Sequence, residues 1–175
     1  VLSLNTVLPV IAEHDVFYEV ATAQGNHYIF KFAVDFAETR DGFNKKTAQQ
    51  VAQEMMKFVD TPYFWGGMSS YGYDCSGLSY NALKACGYKI PRDASDQARA
   101  GQPVNKDNKA EWRVGDLVLF TTPPAENVTH VGIYLGDDML LHSTIYKDRV
   151  EVIRLEGHSL NDEISYVRRY IEGIE

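Results

Sequence analysis

The chain has 175 residues, 45% of them hydrophobic and 23% charged, which is enough for one cored domain plus a small appendage and too apolar for a disordered segment. The formal net charge is −7, a sign with no general attraction for nucleic acid or anionic lipid, and no Lys/Arg run reverses it locally. No stretch approaches the roughly 18–20 apolar residues that span a bilayer, and no basic segment leading into an apolar run follows Val1, so neither membrane insertion nor a leader is read here.

The first segment, Val1 to about Phe43, reads as strands. Val7 to Ile11 is a short apolar run, and Asp15 to Val20 has a half-buried pattern. Asn26 to Val34 is rich in aromatic and β-branched residues and follows a Gly25-Asn26 turn signal. Together these predict a small β-barrel or partial barrel, closed off by a break at Asp41-Gly42. The expected division is therefore 1–43 for a β unit and 44–175 for the main domain.

The main domain opens on a helix over Thr47–Val59, with Val51, Met55, Phe58 and Val59 at helical spacing and Asn44 or Thr47 as cap. A loop containing Thr61-Pro62 and Gly66-Gly67 leads to a second helix over Cys75–Cys86, stopped by Gly87. A weaker helical stretch covers Ala94–Ala100. Strands follow at Gly115–Phe120, Val128–Leu135, Met139–Ile145, Val150–Arg154 and Ile164–Tyr170. Helices first and antiparallel strands after is an α+β order.

Cys75 and Cys86 are the two cysteines. On one helix they lie about 16 Å apart, at about 1.5 Å per residue, far beyond the ~7 Å that a disulfide tolerates between Cα atoms. Cys86 falls in the apolar stripe and reads as core. Cys75 differs, because Asp74 is a good N-cap and places it in the first helical turn. Unpaired N–H groups and the helix dipole there favour a thiolate and predict a lowered pKa, and the same N–H groups can hold an oxyanion.

Of the five histidines, His14, His27 and His158 sit in contexts that favour structural roles. His130 and His142 lie on successive strands. If Gly136, Asp137 and Asp138 form a three-residue loop with Leu135 opposite Met139, then Gly132 faces His142, and His130 lies one diagonal step away on the same face. A two-residue loop reverses that parity. One imidazole would take the thiol proton and return it to a leaving amine, and the second would fix the tautomer of the first. His130 is assigned as base and His142 as orienter, with the reverse order open at this stage.

This combination resembles the NlpC/P60 family. The matching stretches are Pro62–Gly67, Tyr73–Leu78, Ile90–Gln97, Gly115–Phe120, Thr129–Gly136 and Leu140–Ser143, in the family's order, within a resemblance that spans roughly Thr47 to Tyr170. The resemblance implies a papain-like α+β core preceded by an SH3b-like β-barrel, and needs neither metal nor cofactor. It implies cleavage of the bond between γ-D-glutamate and a diamino acid in bacterial cell-wall peptides, with Cys75, His130 and His142 as catalytic set. Tyr63 matches a tyrosine near the oxyanion. Asp74 and Ser76, with Asp93 or Ser95, match positions that hold the free amine of a substrate's terminal L-Ala; Asp93 and Ser95 are equivalent candidates.

The resulting expectation is a monomeric cysteine peptidase acting on peptidoglycan-derived peptides through a thioester. The cell envelope or an extracellular site is favoured over cytoplasmic recycling. The alternatives are a papain-like amidase or acyltransferase using the same three residues, and a wall-peptide binding module with a silent cleft.

Overall fold

The computed structural model describes residues 2–39 and 42–171. It divides into two compact units, Val1–Asn44 and Lys45–Glu175. Asp41, one half of the expected break, lies outside the described residues.

In the first unit, β1 (Val10–Glu13), β2 (Phe17–Thr22) and β3 (Gly25–Phe30) form an antiparallel sheet in that order. Thr22 pairs with Gly25 across a tight turn, where Gly25 takes a positive φ of 109° that glycine tolerates without strain. The third strand stops at Phe30, short of the sequence expectation, because Lys31–Ala33 turns into a 3-10 helix. Val20 is buried, and the rings of His14, Phe17 and Tyr28 cluster.

The second unit begins with α1 (Ala48–Met56). Thr47 caps it: its hydroxyl accepts from the Gln50 N–H while Gln50 Oε1 accepts from the Thr47 N–H, a reciprocal box that satisfies two end donors. A short ribbon of β4 (Met68–Ser69) and β5 (Gly72–Tyr73) precedes α2 (Cys75–Ala85). The six-residue α3 (Ala94–Arg99) follows. The strands are β6 (Gln102–Val104), β7 (Leu117–Phe120), β8 (His130–Gly136), β9 (Met139–Thr144), β10 (Arg149–Arg154) and β11 (Ile164–Arg169). They form one antiparallel sheet in the order β10-β9-β8-β7-β11-β6.

Alternation along the strands feeds two cores. Val131 and Ile133 of β8 join Leu117, Leu119 and Leu141 against Val51, Met55, Leu78 and Ala82 of α1 and α2. Tyr134 of the same strand joins Trp112, Val118, Phe120, Leu140 and Val167 in the second cluster. The helix that carries Cys75 is thus seated on β8 and β9, the strands that carry the two histidines. Full burial of each large side chain here contributes on the order of 1.5–3 kcal/mol, so this seating is stiff.

The β8–β9 turn departs from expectation. Gly136 pairs with Met139, leaving a two-residue turn of Asp137 and Asp138, both at positive φ (49° and 63°) as a type I′ hairpin requires. That turn alone would set the wrong parity. The register shifts between Tyr134 and Gly136, so Leu135 is an extra, bulged residue, and the pairing from Tyr134 with Leu140 onward is restored. Gly132 therefore does face His142, by a different route from a three-residue loop.

Candidate active site

Asp74 starts the site. It ends the β5 segment in extended conformation, and its Oδ1 accepts from the Gly77 N–H at 2.6 Å, capping α2 as the sequence predicts. Cys75 is then the first residue of the helix, a half-buried free thiol. Cys86 is also free but fully buried, and burial pushes its thiol up to about 11.

The backbone N–H groups of Cys75, Ser76 and Val131 act to lower the Cys75 thiol pKa. Val131 directly follows His130, and α2, which Cys75 begins, packs against β8. The expected lowering of the thiol pKa does not result. Burial, then the Asp74 carboxylate, push the thiol up and outweigh the three N–H groups.

His130 and His142 are brought together as expected: Nε2 of His130 lies 2.9 Å from Nδ1 of His142, with the rings near perpendicular. Burial holds both imidazoles well below their ordinary range, so both are neutral near pH 7. For His142 the Glu151 carboxylate works in the opposite direction, and the neighbouring His158 adds to the lowering. Glu151 Oε1 lies 3.5 Å from His142 Nε2. Ser143, next along β9, donates to the Tyr73 carbonyl at 2.7 Å, tying the histidine strand to the segment that leads into Cys75.

Tyr63 sits near both Cys75 and Asp74. Its phenol is pushed up first by burial, then by the negative charge those two groups carry when ionised. Its loop is fixed by backbone bonds, from the Tyr63 N–H to the Asp148 carbonyl (2.8 Å) and from the Tyr73 N–H to the Pro62 carbonyl (3.0 Å).

Around Asp74 the structure shows a partner that sequence reasoning missed. Arg92 donates through Nη2 to Asp74 Oδ2 and through Nη1 to Ser76 Oγ, each at 2.7 Å. Asp74 Oδ2 also accepts from the Gly66 N–H at 3.0 Å, and Oδ1 from the Ser76 hydroxyl at 3.4 Å. Both oxygens of the carboxylate are thus engaged within the protein. Asp93 is exposed and lies 3.7 Å from Arg92 Nη1. Ser95, half-buried in the first turn of α3, joins none of these bonds. Buried Gln97 holds α3 to α2, donating through Nε2 to the Ser76 and Pro91 carbonyls and accepting from the Ser79 hydroxyl at 2.8 Å. Arg92 and Gln97 stand in one of the matched stretches, but no local pattern pairs either with residues so far back in the chain.

A family model described as NlpC/P60 family matches residues 60–169. A gamma-D-glutamyl-L-lysine dipeptidyl-peptidase of Bacillus subtilis (strain 168) is 38% identical over 96% of this chain and 55% of its own length. A protein of the same name from Bacillus cereus (strain ATCC 10987 / NRS 248) is 31% identical over 97% of this chain and 51% of its own length. The crystal structure of an NlpC/P60 family protein from Bacillus cereus ATCC 10987 superposes with a TM-score of 0.88 at 32% identity, covering 97% of this chain and 55% of that one. The chain spans about half the length of these relatives.

Proposed function

The chain belongs to the NlpC/P60 family, and from that premise we propose that it is a cysteine peptidase that cuts the γ-D-glutamyl–diamino acid bond of bacterial cell-wall peptides. The observation that carries the reading is the His130–His142 pair at 2.9 Å, carried on the two strands against which the helix begun by Cys75 packs. The B. subtilis relative's name, a γ-D-glutamyl-L-lysine dipeptidyl-peptidase, supports the same bond with lysine as diamino acid.

His130 is the base in this reading. Both nitrogens of His142 face other groups, Nδ1 towards His130 and Nε2 towards Glu151, whereas Nδ1 of His130 remains for the thiol. Because the thiol pKa is raised and the imidazole pKa lowered, the resting pair is neutral, and the proton moves as attack occurs rather than before it. The sulfur attacks the γ-carbonyl carbon while His130 Nδ1 takes the thiol proton. The Cys75 N–H and the Tyr63 hydroxyl stabilise the oxyanion. His130 returns that proton to the departing amine as the C–N bond breaks, leaving a thioester; it then takes a proton from the attacking water and passes it to the Cys75 sulfur as the C–S bond breaks and the dipeptide acid is released.

Asp74 serves in this scheme to cap α2 and hold Arg92, since both its oxygens are engaged. Asp93, exposed beside Arg92, is the carboxylate open to the ammonium of an N-terminal L-Ala. Ser76 and Ser95 complete the assigned binding set. The N-terminal sheet is read as an SH3b-like module, supported by its short antiparallel strands and exposed Tyr28, Phe30 and Phe32.

Mass spectrometry of digests of L-Ala-γ-D-Glu-L-Lys, its meso-diaminopimelate counterpart and their N-acylated forms tests the proposal. Release of L-Ala-γ-D-Glu by the wild type, lost in Cys75→Ala, is the expected result. Release retained by Cys75→Ala would remove the nucleophile assignment, and equal cleavage of the N-acylated peptides would remove the role given to Asp93.

A further inference from the structure

Two imidazoles in series orient a base only if something fixes the second ring. A neutral imidazole has one N–H and one lone pair, and either nitrogen can carry the hydrogen. The 2.9 Å contact between His130 Nε2 and His142 Nδ1 is compatible with donation in either direction. If His142 donates, the hydrogen of His130 must sit on Nδ1, and no lone pair faces the thiol. If His130 donates, its Nδ1 is free to act as base. The chemistry needs the second arrangement, and neither ring alone selects it.

The selection lies on the far side of His142. Its Nε2 is buried, with no hydrogen-bond partner of good geometry among the described residues. Glu151 faces it, with Oε1 3.5 Å away. Glu151 is the direct cross-strand partner of His142 in the β9–β10 pairing, so sheet register puts the two side chains side by side on one face. Its side chain is only 20% exposed, so a negative charge there acts with little solvent screening. A carboxylate only accepts, so it attracts an N–H and repels a lone pair. His158 also lies beside His142, with ring centres 6.4 Å apart.

We propose that Glu151 is a positioning residue: it holds the hydrogen of His142 on Nε2, which makes His142 Nδ1 the acceptor for His130 Nε2–H and leaves the lone pair of His130 on Nδ1. This rests on the reading of His130 as base. Glu151 takes no proton itself. It fixes two tautomers in series and favours the positive charge that His130 acquires as it receives the thiol proton, spread towards His142 through the shared hydrogen bond. Its cross-strand position resembles the outer partner that orients a metal-bound or catalytic histidine from behind.

Nitrogen-15 NMR of the histidine-labelled full chain near pH 7, read with and without substitution at Glu151, tests this. In the wild type, His142 and His130 should both carry hydrogen on Nε2. Glu151→Ala should give His142 a mixture of tautomers and lower kcat on the tripeptide about tenfold, with KM changed less than twofold. Glu151→Gln keeps a carbonyl acceptor in the same place, so it should restore the Nε2–H form and recover part of kcat. His142 carrying its hydrogen on Nδ1 in the wild type would overturn the proposal. So would a His142 tautomer, or a kcat, indifferent to both substitutions. The tautomer measurement needs no substrate, so it judges Glu151 even if the peptides above are not cleaved, and Glu151→Gln carries the test should the alanine variant fold poorly.

Discussion

Arg92 and Asp74 stand 18 residues apart in sequence, yet Nη2 of one lies 2.7 Å from Oδ2 of the other. The same guanidinium donates to Ser76 Oγ, so one side chain bridges the two residues flanking Cys75. Asp74 is nearly buried and Arg92 about 29% exposed at its side chain, which makes this a partly desolvated pair. Removing one partner of such a pair leaves the other charge poorly solvated. Arg92→Leu should therefore lower stability by about 2 kcal/mol, after discounting for that exposure, which is about 4–8 °C in Tm for a chain of this size. Arg92→Lys keeps the charge but not the fork geometry, and should fall between the two. Thermal unfolding followed by circular dichroism measures both, and a lysine variant as stable as the wild type would show that the fork contributes nothing.

The same carboxylate bears on the Cys75 thiol. Burial raises the Cys75 thiol most, and Asp74 is the next contributor. Asp74→Asn removes the negative charge while keeping an oxygen for the Gly77 N–H, and it leaves Arg92 without its anion. Both changes favour the thiolate. The midpoint of Cys75 alkylation by iodoacetamide against pH should move down, so that alkylation at pH 7.5 is faster in the variant even though its Tm is lower. Slower alkylation would mean that the carboxylate's main effect on the sulfur is through geometry. Cys86 provides an internal control, because it is buried and pushed up to about 11, and it should stay unlabelled in the folded chain.

Much of this site was legible in sequence because its determinants are local. Asp74 before an apolar helical pattern marks the start of α2, and its side chain does accept from the Gly77 N–H. His130 and His142 sit on adjacent strands with a short turn between them. Gly132 faces His142 as a three-residue loop would also give, but through a two-residue turn and a bulge at Leu135, which residue counting does not show because Leu135 looks like any other strand residue. Three-residue β6, with Pro103 in its centre and an exposed face, offers no alternation long enough to read. Arg92 and Glu151 were missed for a different reason. Each acts through a contact that only tertiary packing or sheet register creates, and a lone charged residue gives no local sign of its partner.

Burial of His130 and His142 makes stability fall with acid. Both imidazoles are held below their ordinary value of 6.5 in the folded chain, His130 to about 3. In the unfolded chain they titrate near 6.5, so between the two values the unfolded state binds more protons than the folded one. Unfolding free energy should thus be undiminished above about pH 6.5 and decline as pH drops towards the folded values, by at most about 1.4 kcal/mol per pH unit for each histidine. Urea unfolding at pH 7 and pH 5 measures the loss. His142→Gln removes one titrating group and should show a smaller loss over the same interval. A loss equal to that of the wild type would place the acid sensitivity in other groups.

Gly77 separates local helix preference from the packing around Cys75. It lies in the first turn of α2, where alanine would be favoured over glycine by about 1 kcal/mol on helix propensity alone. A Cβ there would run into the Gly67 carbonyl oxygen and come within 2.9 Å of Asp74 Oδ1. The Gly67 carbonyl accepts from the Asp74 N–H, and the Gly66 N–H donates to the Asp74 side chain, so the obstacle is backbone already held by the residue that caps the helix. It can yield only by moving the Gly66-Gly67 loop away from Asp74, which disturbs the segment that carries Tyr63. Overpacking of this kind costs about 1–3 kcal/mol, enough to outweigh the propensity gain. Gly77→Ala should therefore unfold at a lower urea concentration than the wild type and lose at least tenfold in kcat, with the α-helical circular dichroism signal unchanged. A variant more stable than the wild type would mean that the loop gives way at little cost, and that the close approach of its backbone to α2 is not what holds Asp74 in place.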